Sequence, residues 1–204
     1  MPKLDLRKQL GPLYDAPLEP ILVKVPAMNF LMLDGSGDPQ TSIEYQHAVE
    51  ALFALSYSLK FAVKKSGGPD YGVLPLEGLW WVDDLASLDR ERRDNWRWTS
   101  MIMQPKPVTA ELVEMIREEV RKKKQLPALD RVRFERLEEG LSAQVLHVGP
   151  YADEWPTIER LHRFAQDSGY ELRGKHHEIY LSDPRRASPE RLRTILRHPV
   201  RERQ

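Results

Sequence analysis

The sequence predicts an α+β fold in which an antiparallel sheet carries helices on one side. One basis is a repeated order of elements: an apolar strand and turn at 30–39, a helical pattern, and a Trp-rich strand at 77–83. The same order returns with 144–151, a second helix and 178–183. The other basis is that strands follow one another without helical crossovers, which favours antiparallel pairing. We expect tandem strand-helix-strand-strand modules with pseudo-two-fold symmetry and a ligand cleft on the side away from the helices.

Hydrophobic periodicity places the elements of the first module. Residues 1–20 carry four prolines and little periodicity, so we expect an extended lead-in there. Apolar residues alternate from Ile21 and then repeat with helical spacing from Ser42. The predicted elements are a strand at 21–33, a turn at 34–37, a helix at 42–64, strands at 71–83 and 96–104, and a helix at 109–124.

The same patterns place the second module. Strands predicted at 132–137 and 141–148 are separated by a turn at 138–140, and this spacing favours a hairpin. Pro189 fits the first position of a helix. The remaining predicted elements are a helix at 153–167, a strand at 174–182 and a terminal helix at 188–197.

Length and composition limit the organisation and the chemistry. A chain of 204 residues can bury a sizeable core. We therefore expect one domain over 21–204, built from half-repeats at about 21–125 and 130–204. The chain has no cysteine, which excludes disulfides, thiolate metal sites and thiol nucleophiles.

The charge balance limits the partners. The chain has 31 basic and 31 acidic residues, so no overall field attracts nucleic acid or an anionic membrane. No apolar run is long enough for a signal peptide or a membrane span. We expect a cytoplasmic monomer or homodimer whose partner is a small molecule, with no direct nucleic-acid or membrane binding and no cofactor.

Side-chain alternation divides the strand at 174–182 into two faces. Ile179 and Leu181 share one face, while Glu178 and Tyr180 share the other. Because the apolar pair should pack against the helices, we expect Glu178 and Tyr180 to face the cleft. Alignment of the two repeats places Trp80 opposite Tyr180.

Aromatic residues around a carboxylate predict a ligand cage. Aromatic rings attract flat or cationic organic molecules by dispersion and cation–π interaction, and a carboxylate fixes a positive or hydrogen-bonding group. Trp and Tyr on strands are also common core residues, so packing is the alternative for each ring. The candidate ligand-binding residues are Tyr71, Glu77, Trp80, Trp96, Trp98, Glu178 and Tyr180.

Glu178 and Tyr180 are also the candidate catalytic residues. A partly desolvated carboxyl beside a phenol can act as an acid or a base.

Metal binding is not expected. His176 and His177 are adjacent on a strand and point to opposite faces, and neither His147 nor His162 has ligand spacing.

Five segments carry a family resemblance: LEGLWW (76–81), WRWTSMIMQP (96–105), HVGPY (147–151), HHEIYLSDP (176–184) and TILRHPV (194–200). Together they resemble the GyrI-like small-molecule-binding domain family from Ile21 onward. The resemblance implies tandem modules with a ligand cleft between them. It also implies that Glu178 matches the glutamate with which drug-sensing regulators of this superfamily meet cationic lipophilic drugs. Those regulators carry a helix-turn-helix segment that has no counterpart here, so the chain resembles the stand-alone branch.

The resemblance leaves three kinds of function open. The stand-alone branch includes enzymes that hydrolyse the cyclopropane ring of DNA-alkylating cyclopropanoid antibiotics with the help of an aromatic cage, which would make this protein a detoxifying hydrolase. A non-catalytic protein that sequesters or senses drugs would explain the same residues. A gyrase-inhibitor-like interaction protein is the third alternative. Turnover of a cyclopropanoid substrate separates the first from the second.

Overall fold

A computed structural model describes residues 4–82 and 95–203. Within these ranges, none of the helices has both the length and the apolar character needed to cross a membrane. The elements in chain order are α1 (Leu6–Leu10), β1 (Ile21–Val25), β2 (Met28–Ser36), α2 (Ile43–Lys65), β3 (Glu77–Trp81), β4 (Arg97–Gln104), α3 (Ala110–Lys123), β5 (Arg133–Leu137), β6 (Gly140–Val148), α4 (Trp155–Asp167), β7 (Tyr170–Leu172), β8 (His176–Tyr180) and β9 (Arg193–Glu202).

The predicted fold class is confirmed. Strand, helix, strand, strand recurs as β2, α2, β3, β4 and again as β6, α4, β8, β9, with the short β7 added before β8. Neighbouring strands with a defined register pair antiparallel. The chain forms two compact units. The first comprises Met1–Leu6, Met28–Leu76 and Trp80–Leu137, and the second comprises Arg7–Ala27, Glu77–Leu79 and Glu138–Gln204.

In the first unit, β2 lies between β4 and β5, and α2 packs on β2 and β4. The helix begins where the sequence predicts, because the Ser42 hydroxyl caps it by accepting a hydrogen bond of 3.2 Å from the Tyr45 N–H. Its buried stripe is Ala48, Ala51, Leu52, Leu55, Ser56, Leu59 and Val63.

In the second unit, the strand order is β1, β6, β9, β8, with β7 also paired to β9. Helix α4 covers one face of β6 and β9. Burial of this apolar face is the main favourable contribution to the stability of the unit. Its core is Ala143, Val145, Ile158, Leu161, Ala165, Leu196 and Val200.

The lead-in is not extended, contrary to the prediction. It forms α1 and a 3-10 turn at Gly11–Tyr14. Leu13 and Tyr14 are buried in the second unit, at 8% and 1% exposure. The lead-in folds because its few apolar side chains become part of that unit's core.

The strand predicted at 71–83 is shorter in the structure, since β3 covers only Glu77–Trp81. Asp83 lies outside the described residues.

The predicted terminal helix is wrong. Pro189 begins only a 3-10 turn at Pro189–Arg191, and the chain then forms β9, the longest described strand. This strand pairs with β6, β7 and β8. Other strands therefore provide its backbone hydrogen bonds and bury its side chains.

The predicted hairpin at 138–140 is also wrong, because β5 pairs with β2 whereas β6 pairs with β1 and β9.

The predicted turn at 34–37 begins later than expected. Strand β2 continues to Ser36, and the chain turns at Gly37, whose φ of 89° favours glycine.

Gly35 lies opposite Trp98 in the β2–β4 pair. A Cβ at position 35 would lie 2.2 Å from the Trp98 ring, so glycine is required there by the close approach of that ring.

Candidate functional site

Glu178 lies on the face of the second unit that α4 covers. It pairs with Leu196 across β8 and β9, and paired residues project to the same face. Leu196 packs with Leu161 of α4. Ile179 is fully buried on the opposite face, and Leu181 is half-buried. The expected assignment of the two faces is therefore reversed, because Ile179 lies on the side covered by the lead-in rather than by α4.

The structure brings the two predicted catalytic residues together. The Tyr180 hydroxyl donates a hydrogen bond of 2.7 Å to Oε2 of Glu178. Oε1 of the same carboxylate lies 3.5 Å from Nε2 of His176, and the Glu178 and His176 side chains are 12% and 15% exposed. Glu178 is therefore mostly desolvated but still reaches the surface, next to a phenol and an imidazole.

A second tyrosine joins this cluster. The rings of Tyr151 and Tyr180 meet edge to face with centroids 5.7 Å apart. Burial raises the pKa of Tyr151 to about 12, with further contributions from Glu154, Glu178 and Asp183. Three acidic groups therefore act on the phenol of Tyr151. We call Glu178, Tyr180, Tyr151 and His176 the Glu178 cluster. Two aromatic rings beside a carboxylate suit a cationic or hydrogen-bond-donating organic group.

A separate network of charged side chains is buried on the other face of the second unit. Glu77 accepts a hydrogen bond of 2.5 Å from the Tyr14 hydroxyl, and its second oxygen lies 2.9 Å from Nε2 of His177. Nδ1 of His177 lies 3.0 Å from both carboxylate oxygens of Glu139. The His177 and Glu77 side chains are 0% exposed, and Glu139 is 5% exposed.

Opposite charges keep Glu139 and His177 ionised despite their burial. Burial lowers the pKa of His177, but the carboxylates of Glu139 and Glu77 outweigh it and raise that pKa to about 9. Burial raises the pKa of Glu139, but His177 and Arg197 outweigh it and lower that pKa to about 2. Burial and the adjacent Glu77 raise the pKa of Tyr14, which keeps it a neutral donor.

Arg197 completes the network and ties it to the lead-in. Its guanidinium donates to Glu139 at 3.1 Å, to Gln144 at 3.1 Å and to the backbone carbonyl of Leu13 at 2.6 Å. Two carboxylates thus face two cations, so the network is balanced in charge. Its polar atoms bind one another and the backbone, which indicates a positioning role for β8, β9 and the 3-10 turn.

The predicted cage tryptophans lie in the first unit and are mostly packed. Trp80 is 5% exposed, Trp98 is 0% exposed and Tyr71 is 2% exposed, whereas Trp96 is half-buried. The Trp80 and Trp96 centroids lie 5.9 Å apart, and Tyr45 meets the Trp98 ring edge to face at 5.1 Å. A ligand would reach Trp80, Trp98 or Tyr71 only if neighbouring groups moved.

Sequence reasoning missed several residues of both clusters. Tyr151 was visible in the HVGPY segment, but only the fold places it beside Tyr180. Glu139 belonged to an acidic turn and gave no sign of burial. The environment of Glu139 depends on His177 and Arg197, which are 38 and 58 residues away in the chain. No local pattern carries that information.

The repeated order and the antiparallel pairing define a tandem α+β domain. A profile of the GyrI-like small molecule binding domain matches residues 18–201. The chain therefore belongs to the GyrI-like family of small-molecule-binding domains. No curated protein matches the chain significantly.

Solved structures agree with this assignment. An uncharacterised conserved protein from Listeria innocua is 43% identical, with a TM-score of 0.91 over 98% of this chain and 100% of that one. A hydrolase from Listeria innocua is 42% identical, with a TM-score of 0.86 over the same shares. The C-terminal domain of EcmrR shares the fold at 12% identity, with a TM-score of 0.56 over 91% of this chain and 98% of that domain.

Proposed function

We propose that this protein binds a lipophilic, aromatic or cationic small molecule at the Glu178 cluster and hydrolyses it. The observation that carries the proposal is the mostly desolvated carboxylate of Glu178, held by the Tyr180 hydroxyl beside the Tyr151 ring. The substrate class that we propose is the cyclopropanoid DNA-alkylating compounds, which would make the protein a detoxifying enzyme of the cytoplasm.

Electrostatics supports a cationic or polarised ligand. The pKa of Tyr151 is raised by burial and by three acidic groups, Glu154, Glu178 and Asp183, so negative charge converges on this ring. A cation over an aromatic face gains roughly 0.5 to 2 kcal/mol, more when it is desolvated. A charge-assisted hydrogen bond to the carboxylate adds roughly 1.5 to 3 kcal/mol.

The same residues suit a hydrolytic ring opening. Water adds to a carbon of the cyclopropane, one C–C bond breaks, and the bonding electrons move into the conjugated carbonyl, where the resulting phenolate takes up a proton. Glu178 would hold the water and accept its proton, and the hydrogen-bonded Tyr180 would supply a proton to the oxygen. The likeness to a Listeria innocua hydrolase at 42% identity favours an enzyme.

The remaining candidates have supporting roles in this proposal. Glu77 is enclosed by Tyr14 and His177, so it would act on the ligand only through the position of β8. Trp80, Trp98 and Tyr71 are packed in the first unit, where they would stabilise the fold. Half-buried Trp96 stays a candidate ligand contact.

Two measurements test the proposal. Calorimetry of the wild type should show binding of a tetraarylphosphonium cation and weaker binding of a neutral triarylphosphine oxide. Equal affinities would contradict a site built on a carboxylate. Incubation with a cyclopropanoid compound should then give the ring-opened product, with a mass gain of one water, faster than in buffer. Tight binding without product would support sequestration or sensing rather than hydrolysis.

A further inference from the structure

Three histidines meet at one place in the second unit. His162 lies on α4, His176 on β8 and His198 on β9. His176 and His198 are opposite each other, one residue beyond the His177–Arg197 pair in the same register. Each of the three offers a ring nitrogen, and these nitrogens lie within 4.8 Å of one another. The three imidazoles of this cluster thus come from one helix and two strands.

The rings are close but unsatisfied. The centroids of His162 and His198 lie 5.1 Å apart, and those of His176 and His198 lie 5.9 Å apart. Among the described residues, four buried histidine ring nitrogens have no hydrogen-bond partner: Nε2 of His162, both nitrogens of His176, and Nδ1 of His198. Buried polar atoms normally have partners, so this concentration of unpaired nitrogens calls for a ligand.

The side chains also suit a transition-metal ion chemically. Zinc, cobalt, nickel and copper ions all bind imidazole nitrogens. Three imidazoles at one place therefore form a suitable donor set for such an ion.

We propose that His162, His176 and His198 form a binding site for a divalent transition-metal ion of the zinc class. Zinc binds imidazole nitrogens at about 2.0 to 2.1 Å. Side-chain rotations that move each nitrogen by about 1 Å would therefore bring all three nitrogens to one ion. Three histidines leave a fourth position open, as in metal sites that hold a water molecule. Each of the three histidines is half-buried rather than fully enclosed.

His176 connects this site to the Glu178 cluster. Its Nε2 atom lies 3.5 Å from Oε1 of Glu178, and neither of its ring nitrogens makes a hydrogen bond among the described residues. A metal-bound histidine commonly has a carboxylate beside its other nitrogen. The metal site shares His176 with the Glu178 cluster, but it does not depend on the proposed function, since its occupant is an inorganic ion.

Cobalt is a suitable probe because its bound form absorbs visible light. The full chain, without a histidine tag and after treatment with chelator, is titrated with Co²⁺, and the bound ion is then displaced with Zn²⁺. We expect saturable absorption bands of a four- or five-coordinate ion at about one equivalent of Co²⁺, removed by Zn²⁺. No saturable absorption up to millimolar Co²⁺ would overturn the proposal.

Single substitutions assign the ligands. His162→Gln and His198→Gln should each weaken Co²⁺ binding at least tenfold, because each removes one of three ligands. His47→Gln on α2 is the matched control and should bind as the wild type does. Two substitutions on different elements keep the test valid if one of them impairs folding, which circular dichroism reports. Wild-type affinity in both folded variants would overturn the assignment. Because no organic molecule is present, a negative result here leaves the small-molecule proposal standing.

Discussion

Glu77 and His177 are 100 residues apart in the chain, yet Oε2 of one and Nε2 of the other lie 2.9 Å apart with both side chains fully buried. This contact belongs to a charge-balanced network that also holds Tyr14, Glu139 and Arg197. Buried ions of this kind cost desolvation and are tolerated only when all partners are present. The network therefore makes the position of β8 sensitive to each of its members.

The first prediction concerns the hydroxyl of Tyr14. Tyr14→Phe removes the donor to Glu77 and leaves a buried carboxylate oxygen without that hydrogen bond. We expect the free energy of unfolding to fall by about 1 to 3 kcal/mol in urea titrations. Tyr71→Phe is the control, because Tyr71 is similarly buried and its hydroxyl has no hydrogen-bond partner among the described residues. Equal losses in the two variants would show that the Glu77 contact contributes nothing specific.

The second prediction concerns acid stability. The folded-state pKa of Glu139, about 2, lies below its ordinary value of 4.5, so its ionised form stabilises the fold above pH 4.5. That contribution, of the order of 3 kcal/mol, is lost as the pH falls from 4.5 through about 2. The stability difference between the wild type and Glu139→Gln should therefore be larger at pH 6 than at pH 3.

The neighbouring residue gives the control for this measurement. Glu138 is exposed, so Glu138→Gln should differ from the wild type by less than about 0.5 kcal/mol at either pH. Urea unfolding followed by circular dichroism measures both series. A difference for Glu139→Gln that stays constant from pH 6 to pH 3 would contradict the low pKa of this carboxyl.

The third prediction concerns the close approach of Gly35 and Trp98. Gly35→Ala adds a methyl group 2.2 Å from the Trp98 ring, which is fully buried and cannot move without disturbing its neighbours. We expect destabilisation of about 1 to 3 kcal/mol and a change in tryptophan fluorescence. Gly72→Ala has open space at its Cβ and should leave both unchanged within about 0.5 kcal/mol. Unaltered fluorescence and stability in Gly35→Ala would mean that the ring does not cover this glycine.

Local patterns were sufficient for most elements of the fold. Helical spacing predicted 42–64, and α2 covers Ile43–Lys65. They failed at β9, where Ser188 and Pro189 resemble a helix start but the following residues are fixed by three partner strands. A single sequence does not show those partners, so local preference and tertiary pairing gave opposite answers there.

The candidate site was only partly predictable, for the same reason. Alternation put Glu178 and Tyr180 on one face, and the structure joins them by a hydrogen bond. The sequence did not show which face of the sheet Glu178 and Tyr180 occupy. The lead-in decides this, because its buried turn lies on the side that the helices were expected to cover. Spacing along the chain also gave no sign of the histidine cluster, since its members lie on three separate elements.

The most direct test of the account is the affinity of a tetraarylphosphonium cation for the wild type and for Glu178→Gln. Loss of the carboxylate charge should weaken binding by about 1 to 3 kcal/mol, or roughly 5- to 150-fold in Kd, because the Coulombic attraction between the mostly desolvated carboxylate and the cation is removed. Glu202→Gln, at an exposed site of the same unit, should bind as the wild type does. Chelator in every sample keeps metal ions from competing. Unchanged affinity in Glu178→Gln, with an unchanged melting temperature, would contradict a ligand site at Glu178.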